Sequence, residues 1–279
     1  MVKLFLLLFV SFMSAQNYRF VYEYKMMTDL TKRDSLTTDY MNLDSDGKKS
    51  YFYNADKYES DSAYNVSKKI ESLLNGKKYN HNLIYVIEKD YNSQEVNFYT
   101  KFVSVNVVIP EPEKPEWKLE NDYKEINHMK CQKATANYKG RVWEAWFTSY
   151  PINDGPYKFN GLPGLIVKLN DSNREHNFDL IEIKKVSTLF NLLSKNNKKM
   201  SQEEYDGIVK KHVVNVANDA ESFIANIQAG KVNVQMKDGY MAQFDYKDLK
   251  KNSKTGELND EIAKRLRKTN NPIEKSNSK

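Results

Sequence analysis

The chain of 279 residues contains one cysteine, ten glycines and seven prolines. A single cysteine excludes a disulfide scaffold, and so little glycine and proline excludes collagenous and low-complexity classes. The hydrophobic share is only 40%, and 19 tyrosines and 13 phenylalanines make up much of it. Because aliphatic side chains are scarce, we expect aromatic residues to supply much of the area buried in the core.

Long apolar runs are also missing, and the longest covers residues 4–13. This run is too short for the roughly 20 residues that a membrane-spanning helix needs. It follows Lys3 and precedes the small residues Ser14 and Ala15. This order is typical of a secretory signal peptide, so we expect residues 1–15 to be removed and the chain to be exported. The residue directly after the expected cleavage site is Gln16 rather than cysteine, which argues against a lipid anchor.

The positive charge is concentrated near the carboxyl end. The chain carries 43 basic and 37 acidic residues, a net charge of +6. Nine basic and five acidic residues fall within 248–279, so residues 16–247 are close to neutral. Only six residues are arginine, the side chain that best recognises phosphates and base edges. We therefore expect no nucleic-acid partner, and a solvated, disordered basic tail over residues 248–279.

The segment up to residue 185 is rich in alternating strand patterns. Aromatic and β-branched residues alternate over 19–27, 130–138, 141–150 and 177–185, with turn residues between successive segments. Period two places Trp143 and Phe147 on one face of a strand, and Glu144 and Trp146 on the other. Consecutive hairpins pair antiparallel, so we expect a curved, mainly antiparallel sheet.

A helical pattern follows the strands. Ser201 and Glu204 form a capping box, and apolar residues then recur at helical spacing as far as residue 229. Strands followed by a segregated helix are typical of the α+β class. The sequence therefore predicts one α+β domain over residues 16–247, with a long amphipathic helix packed on one face of the sheet.

The most specific motif is a bend near the middle of the chain. Pro163 and Gly164 in Leu-Pro-Gly-Leu suit a type II turn. Residues 130–170 contain CQKATANYKGR, WEAWFT, DGPYKF and GLPGLI in order, and this stretch resembles the GLPGLI family. Its signature hexapeptide is matched by Gly161, Leu162, Pro163, Gly164, Leu165 and Ile166. The resemblance implies an exported protein of Bacteroidota without a settled biochemical function, located in the periplasm, at the outer membrane or outside the cell.

No catalytic, metal or cofactor motif is recognisable. The four histidines form no HExxH or HxH pattern, and no GxSxG or phosphate-binding glycine loop occurs. His128 and Cys131 are three apart, which on a strand points them to opposite faces, and we expect the cysteine to be buried. Glu144 and Asp154 would form a hydrolase-like carboxylate pair only if the loop folded back on the hairpin.

The candidate binding site is therefore aromatic. Trp146, Tyr157 and Phe159, with Asp154 and Lys158, are the side chains that we expect to contact a partner protein or peptide. Tyr157 is expected at a wet edge and Phe159 in the core, although all these aromatic residues could be core residues. Two alternatives remain: a carrier that holds an apolar ligand inside a half-barrel, and a hydrolase without a recognisable motif. The oligomeric state is not determined by the sequence.

Overall fold

The computed structural model describes residues 17–28, 30, 34–69, 77, 83–102, 105–150, 152–209, 232–235, 241–244, 271 and 273–274. Twelve strands form one sheet: β1 (Tyr18–Met27), β2 (Leu36–Ser45), β3 (Lys49–Asn54), β4 (Val86–Asp90), β5 (Val96–Phe102), β6 (Val105–Pro110), β7 (Lys118–Ile126), β8 (Met129–Tyr138), β9 (Arg141–Thr148), β10 (Leu165–Asp171), β11 (His176–Lys185) and β12 (Lys198–Lys199). A separate hairpin pairs β13 (Val232–Gln235) with β14 (Met241–Phe244).

Two meanders build the sheet. The first runs in chain order from β1 to β6 and the second from β7 to β11, and the pairing of β1 with β11 joins them. The pairs are antiparallel except that the two-residue β12 lies parallel to β6. Alternation along β1 buries Phe20, Tyr22 and Tyr24, as the scarcity of aliphatic residues requires. Aromatic side chains thus supply much of the core.

The sheet must curl strongly, because a short connection joins strands near its two ends. Strands β6 and β7 are ten strand positions apart, which is about 48 Å across a flat sheet. The connection between them, residues 111–117, spans at most about 28 Å when fully extended. Trp117 in this connection donates a hydrogen bond of 2.8 Å from Nε1 to the Asn160 carbonyl oxygen. The two ends of the sheet therefore approach each other across a concave face.

The expected α+β class with a long helix is wrong for the described residues. The large sheet dominates, and the helices described are α1 (Ala55–Ser67), which the Asn54 side chain caps, and residues 202–209. The capping box is confirmed, because the Glu204 backbone N–H donates to Ser201 Oγ and the Ser201 N–H to the Glu204 carboxylate. The remainder of the expected helix, 210–229, lies outside the described residues. Among the described residues, the loop between β9 and β10 fills the concave face with Phe159 and Leu162.

Cys131 is buried, as expected, and burial raises the pKa of its thiol. His128 is exposed on the neighbouring turn. Because His128 precedes β8, the expectation of opposite faces along one strand does not apply to this pair. None of the helices in the described part of the chain has the length and apolar character needed to span a bilayer.

Candidate functional site

The loop between β9 and β10, residues 152–164, folds inward onto the concave face, and we call it the aromatic loop. Asp154 and Asn160 pair across it as an isolated antiparallel bridge, and the Ile166 N–H donates to the Asp154 carbonyl oxygen at 2.8 Å. The Phe159 N–H donates to the Pro156 carbonyl oxygen at 3.1 Å. The loop is thus a compact turn tied to the start of β10.

Two glycines let this loop approach the sheet closely. A Cβ on Gly155 would lie 2.5 Å from Cδ1 of Ile166. A Cβ on Gly164 would lie 2.8 Å from the carbonyl carbon of Thr148, and closer still to its oxygen. The φ of Gly164 is +153°, and its N–H donates to the carbonyl oxygen of Leu162, two residues earlier. The expected type II turn, which needs a φ near +80° there, is therefore wrong. The glycine is needed for close backbone approach.

The aromatic side chains of the loop are core residues. Phe159 is 1% exposed, and its ring centroid lies 4.6 Å from that of Trp143 and 5.3 Å from that of Tyr138. Tyr157 is 4% exposed and packs edge-on against Tyr85 at 5.5 Å. Phe159 therefore fills the core as expected. The expectation of a wet edge for Tyr157 is corrected, because the loop turns inward and buries both rings.

A buried ion pair holds the loop from inside. The Lys89 ammonium donates to Asp154 Oδ1 at 2.5 Å and to the carbonyl oxygens of Gly155 and Phe159 at 2.6 and 3.1 Å. Hydroxyl groups of Ser50 and Tyr91 donate to Asp154 Oδ2 at 2.5 and 2.6 Å.

The Asp154 carboxylate is thus surrounded by fixed donors on both of its oxygens, including its neighbour's backbone N–H. Burial lowers the pKa of Lys89, and the Asp154 charge opposes that change. Each charge is compensated by the other, which is the arrangement of a structural tie rather than of a free general base.

A second ion cluster surrounds Lys158, which is 2% exposed. Its ammonium pairs with Glu111 at 2.8 Å and with Glu274 at 2.6 Å. Lys139 contacts the other oxygen of Glu111 at 2.9 Å. Burial raises the pKa of Glu111, but the contacts with the two lysines outweigh that effect and lower it. Two carboxylates therefore neutralise Lys158: one belongs to Glu111, and the other to Glu274 near the carboxyl end of the chain.

Residues near the carboxyl end complete this region. Asn271, Ile273 and Glu274, here called the tail segment, contact the sheet and the aromatic loop. The Tyr157 hydroxyl donates to the Glu274 carboxylate at 2.5 Å. Arg141 donates from Nη2 to Asn271 Oδ1 at 2.5 Å and from Nε to the Ile273 carbonyl oxygen at 3.0 Å. The polar ends of Tyr157 and Lys158 therefore meet at one carboxylate.

Trp146 does not join the other predicted site residues. Its Nε1 donates to Glu144 at 3.0 Å, and the Lys124 ammonium lies 3.7 Å from its ring centroid. Glu144 also pairs with Lys133. These contacts lie on the strand face opposite Trp143, whose ring packs on Phe159. The structure therefore separates Glu144 from Asp154, and the hydrolase-like carboxylate pair is not formed.

An open cleft borders the outer side of the aromatic loop. Its volume is about 540 Å³, and Tyr91 and Lys89 line it together with Asn153, Gly161 and Pro163. Pro163, Gly161 and Asn153 are exposed, whereas Leu162 between them is buried. The rim of this cleft is thus formed by Asn153 and by the start of the signature hexapeptide, residues 161–166, which we call the signature turn.

Sequence patterns missed three residues of this region: Lys89, Glu111 and Arg141. The sequence could have indicated that Lys89 is buried. In β4 it lies two residues after the buried Ile87, so the two side chains point to the same face of the sheet. The same pattern indicates burial of Arg141, because it shares period two with the buried Trp143 and Ala145 in β9, whereas Glu111 has no comparable local pattern. Within the described ranges, no group of three or more His, Cys, Asp or Glu side chains is arranged to hold a metal ion.

Part of the chain matches a protein family whose function is unknown. A family model described as "Protein of unknown function (Porph_ging)" matches residues 137–168, the part that contains the aromatic loop. No curated protein matches the chain.

Two solved structures of PNGF-II, in space groups P21 and C2, are similar with TM-scores of 0.52 and 0.53 at 16% identity. The alignments cover 71% of this chain but 34% and 33% of those chains, so this chain spans about a third of their length. At this identity the similarity concerns the fold alone.

Proposed function

We propose that the chain is an exported, non-catalytic protein of the bacterial cell envelope, and that it binds a partner protein or peptide through the aromatic loop and the signature turn. The proposal includes membership of the GLPGLI family, removal of residues 1–15 as a signal peptide, and a location in the periplasm, at the outer membrane or outside the cell. It rests on the resemblance of residues 130–170 and on the geometry of the loop.

One observation carries the binding role. The aromatic loop is fixed from inside by the Lys89–Asp154 pair, while Asn153, Gly161 and Pro163 form the open rim of the cleft. A rigid rim loses little conformational entropy when a partner docks, so its contacts translate efficiently into affinity. Loops on a rigid scaffold are the usual location of binding residues. The other candidate residues, Trp146 and Phe159, then shape the scaffold rather than touch the partner.

The enzyme and carrier alternatives have less support. The Asp154 carboxylate is occupied by four donors, and Glu144 lies on another face. An apolar ligand in the half-barrel would need the concave space that Phe159 and Leu162 fill, both at most 2% exposed. Neither alternative has an observation in its favour, so the binding role is preferred.

Site-specific photo-cross-linking tests the binding role. A benzophenone side chain at Pro163 should cross-link one partner in intact cells, whereas the same group at Val66, which is 88% exposed on α1, should not. The partner is then purified, and Pro163→Glu should weaken its binding at least tenfold without changing the melting temperature. Equal cross-linking from both positions, or unchanged affinity of the variant, would refute a role for the rim.

Export has its own measurement. The mature protein isolated from the native cell envelope should begin at Gln16, as determined by amino-terminal peptide mapping. Recovery of the full leader in the cytoplasmic fraction would contradict the proposed location without affecting the test of the rim.

A further inference from the structure

The tail segment contacts the rest of the molecule in the way that a bound peptide does. Both ends of the Asn271 amide are used: its oxygen accepts from Arg141, and its nitrogen donates to the Met27 carbonyl oxygen at 2.7 Å. The Ile273 carbonyl oxygen and the Glu274 carboxylate accept from side chains of β9 and the aromatic loop. Asn271 is 7% exposed, so the contact is substantially buried.

The charges of the receiving surface match the segment position by position. Arg141 directs Nη1 to the carboxylates of Asp171 and Glu175, at 2.8 and 2.6 Å. Its Nε and Nη2 groups then face the neutral amide and carbonyl oxygens of the segment. Two carboxylates already offset the single guanidinium charge, so this end of the surface suits uncharged acceptors.

The other end of the surface suits an anion. Lys158 and Lys139 both contact the buried carboxylate of Glu111, and Lys139 also pairs with Glu113 at 3.0 Å, so Lys158 is the ammonium group that faces a further carboxylate. The Tyr157 hydroxyl lies beside it as a donor, and burial with the nearby Glu274 charge raises the pKa of Tyr157 well above its usual range. A protonated hydroxyl and an ammonium group converging on one oxygen form a carboxylate-binding site. Glu274 fills it, at 2.5 and 2.6 Å.

We propose that Arg141, Tyr157 and Lys158 form a peptide-binding site whose ligand carries a carboxylate, and that the chain's own tail segment occupies this site as a tethered ligand that a partner peptide must displace. The inference rests on the proposed function and names the ligand chemistry at the inner end of the aromatic loop. It also gives Tyr157 and Lys158 direct contact with the partner once the tail segment leaves.

Competition sets the expected affinities. A covalently attached segment competes at an effective concentration on the order of millimolar. An added peptide should therefore bind weakly to the native chain and more tightly when the tail segment is weakened. The probe is a fluorescent peptide with the sequence of residues 268–277, KTNNPIEKSN, and its mass is made distinct by isotopic labelling.

The binding experiment compares full-length chains. The double variant N271A/E274Q, which keeps the whole chain but loses two of its own contacts, should bind the peptide at least tenfold more tightly than the native chain. A peptide with glutamine in place of its glutamate should bind the variant at least tenfold more weakly. Glu125→Gln, at an exposed carboxylate near the end of β7, is the matched control and should behave as the native chain.

A second measurement on the native chain keeps the inference testable if the double variant folds poorly. Millimolar peptide should accelerate hydrogen exchange at the chain's own residue 274, because the tail segment is displaced. An unchanged exchange rate, together with no peptide binding to the variant, would overturn the inference.

The two proposals fail separately. Cross-linking from Pro163 without peptide binding would overturn the tethered-ligand site and leave the rim intact. Peptide binding without a partner at Pro163 would support the site and refute the proposed role of the rim.

Discussion

Replacement of Lys89 by methionine tests the tie beneath the aromatic loop. Methionine keeps the approximate length of the side chain but removes the ammonium group that pairs with Asp154 at 2.5 Å. Both side chains are at most 2% exposed, so the carboxylate would remain buried without its counter-charge. Breaking a buried pair from one side costs about 3–5 kcal/mol. We expect the free energy of unfolding to fall by that amount.

The assay is equilibrium unfolding in urea, followed by the fluorescence of the three tryptophans. The matched control is Lys49→Met, because Lys49 pairs with Glu88 at 3.1 Å but is 42% exposed and should cost at most about 1 kcal/mol. Asp154→Asn leaves the Lys89 ammonium buried without a counter-charge. The double variant, Lys89→Met with Asp154→Asn, should therefore lose about 1–3 kcal/mol less unfolding free energy than the two single variants together. A loss below 1 kcal/mol for Lys89→Met, with an unchanged slope against urea, would refute the tie.

Three further predictions concern the same region. Gly164→Ala should lower the free energy of unfolding by at least about 1–3 kcal/mol in urea melts, because its Cβ meets the Thr148 backbone at a positive φ. Gly47→Ala, which also has a positive φ but open space around its Cβ, should cost less. Phe159→Ala should cost about 3–5 kcal/mol by the same assay, and a smaller loss would mean that the ring is not buried. Glu111→Gln should make the free energy of unfolding fall less steeply as the pH is lowered. The lowered pKa of the native Glu111 carboxyl stabilises the fold above the unfolded pKa of about 4.3, and this contribution is lost as the pH falls. Parallel curves of stability against pH for the two proteins would contradict this.

Local patterns predicted local structure well. Alternation placed Trp143 inside and Trp146 on the opposite face, and the capping box at Ser201 is formed. Burial of Cys131 follows from the general preference of a free cysteine for the protein interior. These features depend on residue type or on neighbours within a few residues, which is why sequence reasoning reaches them.

The course of the aromatic loop was not predictable in the same way. Glycine and proline mark where the chain bends but not toward which face, and the partner that decides the direction is Lys89, 65 residues away along the chain from Asp154. The expectation that Tyr157 lies at a solvent-exposed edge was wrong for this reason. Charge counting likewise assigned residues 248–279 to a basic tail, but it cannot show that individual side chains such as Asn271 and Glu274 find partners elsewhere.

The expected fold class failed for a related reason. Helical spacing after Ser201 shows that a segment can be amphipathic, but it does not show that the segment covers the sheet. In the described part of the chain, side chains of the aromatic loop, such as Phe159 and Leu162, fill the concave face. Composition and periodicity cannot choose between these two ways of covering the same apolar surface.

The pairing of β1 with β11, which joins the two meanders, has a consequence for the order of folding. Strand β1 is the first described strand of the chain but lies in the middle of the sheet, and its Tyr24 hydrogen-bonds His176, 152 residues away. Local hairpins form in microseconds, whereas contacts between such distant residues must first overcome loop-closure entropy and form slowly. During synthesis, β1 can pair with β2 long before β11 exists. One edge of β1 therefore stays open for most of that time and is exposed to pairing with other chains until the second meander arrives.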